Sequence, residues 1–182
     1  GLRMNAGNDR GAAVRALLEG DAVLAMSIFT VGRLQGRKSE RHLLAVGREV
    51  ARRRAGLASI LKMPEMRKAP PIVGVSMVFP YTGGSAFVER AWRKGGWAEV
   101  NRCYRVPPIS TEQIIHPDKY FRPRGQPIED PVRISLPPVP DGVLPGGKLI
   151  DDDTLGEMEI SVLLSPVVGG ARARSAAAGW GG

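Results

Sequence analysis

Cysteine occurs once, at Cys103, among 182 residues, so no disulfide can close within the chain, and cysteine usage leaves the redox compartment open. Histidine occurs twice, at His42 and His116. Neither belongs to a His-x-x-x-His or Cys-x-x-Cys spacing, so no single helix of this sequence supplies a complete His or Cys zinc site. No Gly-x-Ser-x-Gly elbow marks a nucleophilic serine. Neither a Walker pattern nor a Gly-x-Gly-x-x-Gly fingerprint is present, which leaves Gly83-Gly84 a weak candidate for a phosphate loop. No uninterrupted apolar run is long enough to cross a bilayer, and no signal peptide opens the sequence. Acids are outnumbered, 18 against 26 Lys plus Arg, for a formal charge of +8. That balance permits contact with nucleic acid or an anionic surface without demanding either.

What is present is helical periodicity. Val14, Leu17, Leu18, Leu24 and Ile28 follow the spacing of one buried helix face and predict a helix over 9–29, capped by Asn8 or Asp9. Glu19 leaves the edge of that face, where a carboxylate is costly to bury unless it is paired or bound to a cation. A second helix is predicted from a Ser39 cap to about residue 62. Leu43, Leu44, Val50, Leu57, Ile60 and Leu61 alternate there with Arg41, Arg48, Arg52, Arg53 and Arg54. The simplest account is the solvated face of a bundle helix, with a nucleic-acid or membrane contact as the alternative. The run lacks the interleaved aromatics that a single-strand nucleic-acid binder uses for stacking.

Proline at 64, 70 and 71 predicts a loop over 63–71. Residues 72–79 suit a strand or a buried helix, between which periodicity does not choose. A loop at 79–85 then leads to a helix over 85–94, ended by Gly95-Gly96, and a short helix over 97–104. Ser110 and Gln113 form a capping box, as do Thr154 and Glu157. Between them lies a proline-rich segment in which Val132, Ile134 and Leu136 alternate with Arg133 and Ser135, as in an edge strand. Pro145-Gly146-Gly147 reads as a turn, and Asp151-Asp152-Asp153 as a helix-start cap rather than a calcium loop. A helix reaching Leu164 and an alanine-rich one over 171–178 complete the chain. Cys103 reads as a packed residue and His116 as a helix-end contact. Both ends look cut, and the whole reads as one incomplete, predominantly α-helical α+β domain. It comprises a helical part (1–121), a proline-rich loop and edge strand (122–150) and C-terminal helices (151–182).

Several stretches carry a resemblance: Leu18-Glu19-Gly20-Asp21-Ala22, Phe79-Pro80-Tyr81, Gly95-Gly96-Trp97, Thr154-Leu155-Gly156-Glu157 and Ala177-Ala178-Gly179-Trp180-Gly181-Gly182. The most specific is Pro107-Pro108-Ile109-Ser110-Thr111-Glu112-Gln113-Ile114-Ile115-His116-Pro117. In this succession the chain resembles a bacterial family of gluzincin-like proteins, relatives of zinc metallopeptidases with members expected to be exported or lipid-anchored. The resemblance implies the C-terminal part of a zincin-like domain. It makes Glu19 the third zinc ligand, Asp21 an acceptor that orients a ligand, and His116 a donor to a tetrahedral oxyanion. The two histidine ligands and the general-base glutamate would come from a His-Glu-x-x-His helix upstream. Zinc would keep an open position for water, and the substrate would be a peptide or protein. This polypeptide alone is then expected to be inactive. The alternative is a non-catalytic helical scaffold or interaction module whose basic helix binds an acidic partner.

Overall fold

A helix with one apolar face needs a neighbour to bury it, and the first such helix finds its neighbour in the stretch least legible from sequence. The computed structural model describes residues 9–35, 40–123, 125–132, 147 and 153–180. Its elements are α1 (Asp9–Gln35), α2 (Glu40–Ala58), a 3₁₀ turn (Ser59–Lys62), α3 (Pro64–Lys68), α4 (Pro71–Arg105), α5 (Thr111–Ile115), α6 (Pro117–Tyr120), α7 (Glu157–Val168) and α8 (Gly170–Ala177). The fold is predominantly helical, and no strand occurs among the described residues. The expected edge strand lies outside them from Arg133 onward, as do Ser39, Asn8, Pro145-Gly146, Asp151-Asp152 and the side chain of His42.

The first arm of α4 decides one open reading and corrects one expectation. Residues 72–79 are helical, and the loop expected over 79–85 is the interior of the same helix. Pro71 opens α4 at its first turn, where a missing N–H leaves no bond unmade. Pro80 does remove a ladder bond inside the helix, yet it is buried, and the Thr82 hydroxyl donates to the Val78 carbonyl at 3.1 Å. Gly84, which read as part of a loop, serves packing instead, together with Gly20 of α1. A Cβ on Gly20 would lie 2.2 Å from the Gly84 carbonyl carbon, and one on Gly84 would lie 1.9 Å from the Ala16 oxygen. Backbone therefore meets backbone where α1 crosses α4, which any larger residue forbids.

Around that crossing Ala13, Ala16, Leu17, Leu24, Phe87, Val88 and Ala91 form the core, joined by Val46 and Val50 of α2. α4 breaks where the sequence predicts it, at Gly95-Gly96, with Gly96 at φ +62. The second arm returns Val100 and Cys103 to the same core. Phe87, Tyr120 and Phe121 close it as a trio of rings with centroids 4.8–5.1 Å apart. α7 and α8 pack as a pair across Gly169, at φ +82, and α7 reaches both α4 and α5. α7 also corrects a boundary: it starts two residues later than the Thr154 cap implies. Gly156 is its cap, and the Glu159 carboxylate accepts from the Gly156 N–H at 3.1 Å.

Because α4 is continuous through Pro80, it alone among the described helices is long and apolar enough to span a bilayer by length and composition. This revises the expectation that no segment passes that test. A little under half of its apolar stretch is buried inside the fold.

Candidate functional site

Glu19, Gly20 and Asp21 sit where α1 crosses α4. Successive helical residues are about 100° apart, so with Gly20 pressed on Gly84 the two carboxylates leave the crossing on opposite flanks. Each meets a tyrosine from a different arm of α4. Half-buried Glu19 stands beside the Tyr81 hydroxyl, and its negative charge, with some burial, raises the Tyr81 pKa above the ordinary phenol value. The Tyr104 hydroxyl donates to Asp21 Oδ2 at 2.7 Å. Burial first, and the Asp21 carboxylate second, push Tyr104 strongly upward, so its proton stays in place. The other Asp21 oxygen, Oδ1, is buried with no hydrogen-bond partner among the described residues. Such an atom is costly unless a donor reaches it.

A second polar group gathers at the start of α1, ten residues of helix or about 15 Å from Glu19. Asp9, at 2% exposure, accepts from the Thr111 N–H at 3.0 and 3.1 Å and from the Thr111 hydroxyl at 2.5 Å. The Thr111 oxygen in turn accepts from the Met158 N–H at 3.2 Å. One carboxylate thereby ties the starts of α1, α5 and α7. Gly156 is obligatory here, since a Cβ would fall 1.7 Å from Asp9 Oδ1. Burial raises the Asp9 pKa to about 6 against the lowering effect of the Thr111 bonds, with Glu159 and Glu112 adding like charge.

The motif over 107–117 builds the rest of this junction. Ser110 caps α5 by accepting from the Gln113 N–H at 3.3 Å, as the capping box predicts. The reciprocal arm differs, because Gln113 Oε1 accepts from Ile109 N at 2.9 Å rather than from the cap residue. Glu112, at 2% exposure, pairs with Lys119 at 2.6 Å, and Lys119 also meets Glu129 at 3.0 Å. His116 Nε2 lies 2.9 Å from Glu157 Oε1. Burial raises the Glu157 pKa while His116 opposes the rise, and Glu157 Oε2 is buried without a partner.

The structure thus places the three candidate residues in three settings: Glu19 against Tyr81, Asp21 against Tyr104, and His116 against Glu157. It does not gather them around one point. Among the described residues no three His, Cys, Asp or Glu side chains converge as a metal site. Glu19 and the free Asp21 oxygen would each fit a donor or cation brought by other residues, but the described residues do not complete a zinc site. Cys103 is packed as expected: its thiol donates to the Glu99 carbonyl at 3.3 Å and is pushed up by burial. On α2, Glu49 pairs with Arg52 at 2.7 Å and Arg53 at 2.8 Å, so two of the three consecutive arginines are engaged within the chain.

Sequence reasoning passed over Tyr81, Tyr104, Asp9, Glu112 and Glu157 as site residues. Asp21 and Tyr104 are 83 positions apart, and Asp9 and Thr111 are 102 apart. No local spacing signals such pairs. The one available hint was a buried-face acid without a local counter-charge. No protein family, curated protein or solved structure matches the chain.

Proposed function

We propose that this chain is the C-terminal part of a gluzincin-like zinc metallopeptidase, in which Glu19 supplies the third zinc ligand and an upstream His-Glu-x-x-His helix supplies the other two and the general base. The observation that supports it is Glu19 itself. The carboxylate that the resemblance singles out stands half-buried beside the α1–α4 crossing, near Tyr81. Zinc in such a site polarises bound water and the scissile carbonyl. This chain's own contribution is to hold one carboxylate at fixed geometry, with Gly20 and Gly84 locking the helix that carries it. The buried, unpartnered Asp21 oxygen would accept a donor from the upstream segment, and His116 would act on the oxyanion only if the substrate reaches the α5–α7 junction.

Metal analysis of this polypeptide beside a version extended upstream tests the reading. Stoichiometric zinc in the extended form, lost in Glu19→Gln, is expected. Tight zinc binding by residues 1–182 alone contradicts it. The alternative, a helical scaffold docking an acidic partner through α2, predicts instead that reversing the charges of Arg52, Arg53 and Arg54 abolishes binding while Glu19→Gln changes nothing.

A further inference from the structure

Beside the Lys119–Glu129 pair, an open groove runs where the two arms of α4 meet the segment after α6. It consists of two adjoining cavities that share Lys94, Arg122, Pro123 and Gln126. Arg102 lines one of them and Arg90 the other. Four cations thus face a wall that carries two acids, Glu99 and Asp118.

Those acids do not use up the positive charge. Glu99 is bound by Arg102 at 2.7 Å, which holds its carboxyl below the usual range. Asp118 is 85% exposed at its side chain and pairs only with Arg90, itself more than half exposed; water screens such a pair. Lys94 makes no hydrogen bond among the described residues, and its nearest acid oxygen, on Glu99, is 4.0 Å away. Arg122 gives one terminal nitrogen to Glu129 at 3.1 Å, yet its Nε is buried without a partner among the described residues. The Phe121 ring lies under Lys94 at 5.3 Å and under Arg102 at 6.0 Å, and Tyr120 lies under Arg102 at 5.2 Å. Ring faces fix cations in place without neutralising them. The glycine break at Gly95-Gly96 is what turns the second arm so that Arg102 joins Lys94 on one side.

We propose that this groove binds an oxyanion, the phosphate or carboxylate group of a ligand, seated between the Lys94 ammonium and the Arg122 guanidinium. Both residues border both cavities, and both keep unused donors. Arg122 offers the planar fork that oxyanions accept from, and Lys94 a mobile point charge. The inference does not depend on the metallopeptidase reading, because no residue of it lies near Glu19 in the contacts described.

Amide chemical-shift titration of the full chain, at constant ionic strength, tests it with inorganic phosphate in one series and succinate in another. Saturable shifts are expected at residues 94–102 and 118–126. The affinity should fall at least about tenfold in a Lys94→Gln, Arg122→Gln double variant and stay unchanged in Arg48→Gln, an exposed arginine of α2. If the double variant is unfolded by circular dichroism, Lys94→Gln alone is expected to weaken binding at least about threefold. Stronger binding of phosphate than succinate assigns a phosphate-bearing ligand, and the reverse order a carboxylate. Absence of saturation with both anions, or equal affinity in the groove variants and the wild type, overturns the proposal.

Discussion

Asp21 shows how a single side chain can be held by a residue that sequence offers no reason to connect with it. Its Oδ2 is satisfied by Tyr104 and its Oδ1 by nothing in the described structure. Tyr104→Phe would leave both oxygens without a partner, and a buried acceptor stripped of its donor costs about 1–3 kcal/mol. Urea denaturation is expected to show a loss of that size; an unchanged midpoint would mean that Asp21 is solvated in solution. Glu19 was legible as an awkward carboxylate because only local spacing is needed to see it leave the edge of an apolar face. Tyr81, which stands beside it, was not, since it lies in a stretch whose Pro80 and two glycines read as a loop.

Among the helices, α1 and α4 are the pair that everything else rests on, and glycine decides their approach. Gly84→Ala would drive a methyl into the Ala16 carbonyl, 1.9 Å away. Overpacking against backbone, which has no rotamer to move into, is expected to cost about 3 kcal/mol. Gly32→Ala, in α1 and with nothing within 4 Å of its would-be Cβ, should instead stabilise the helix by about 0.5–1 kcal/mol. Opposite shifts in the thermal midpoints of the two variants check the assignment. The helices over 85–94, 97–104 and 171–178 were legible because their apolar periodicity and glycine stops are local. The continuity of α4 through Pro80 was not, because the bond that proline forfeits is offset by burial against α1 and α2, which only the assembled core supplies.

Over the whole molecule, Asp9 is the residue through which pH reaches three helices at once. Its folded pKa of about 6 exceeds its ordinary 3.8, so between those values the folded chain holds a proton that the unfolded chain has released. Stability from this group is therefore present in full at low pH and is lost as pH rises from about 4 to above 6. Two pKa units correspond to about 3 kcal/mol. Asp9→Asn keeps an acceptor for Thr111 without the charge. Its stability relative to wild type, from denaturant curves between pH 4 and 7, is expected to increase as pH rises; a difference flat across that range would contradict the assignment. Glu99, Glu129 and Glu49, whose pKa values are lowered first by hydrogen bonds from Arg102, Lys119 and Arg52 respectively, act in the opposite sense and are common to both proteins. By itself the sequence determined the helical character of the chain, the glycine break before Trp97, the cap at Ser110 and the acid Glu19 at the edge of an apolar face, all of which depend on residues within a few positions of one another. The tertiary structure alone decided that residues 71–94 form one helix, that Asp9 joins Thr111 and that Lys94 and Arg122 face one groove. Those outcomes depend on burial and on charges that meet across tens of residues, which no local pattern encodes.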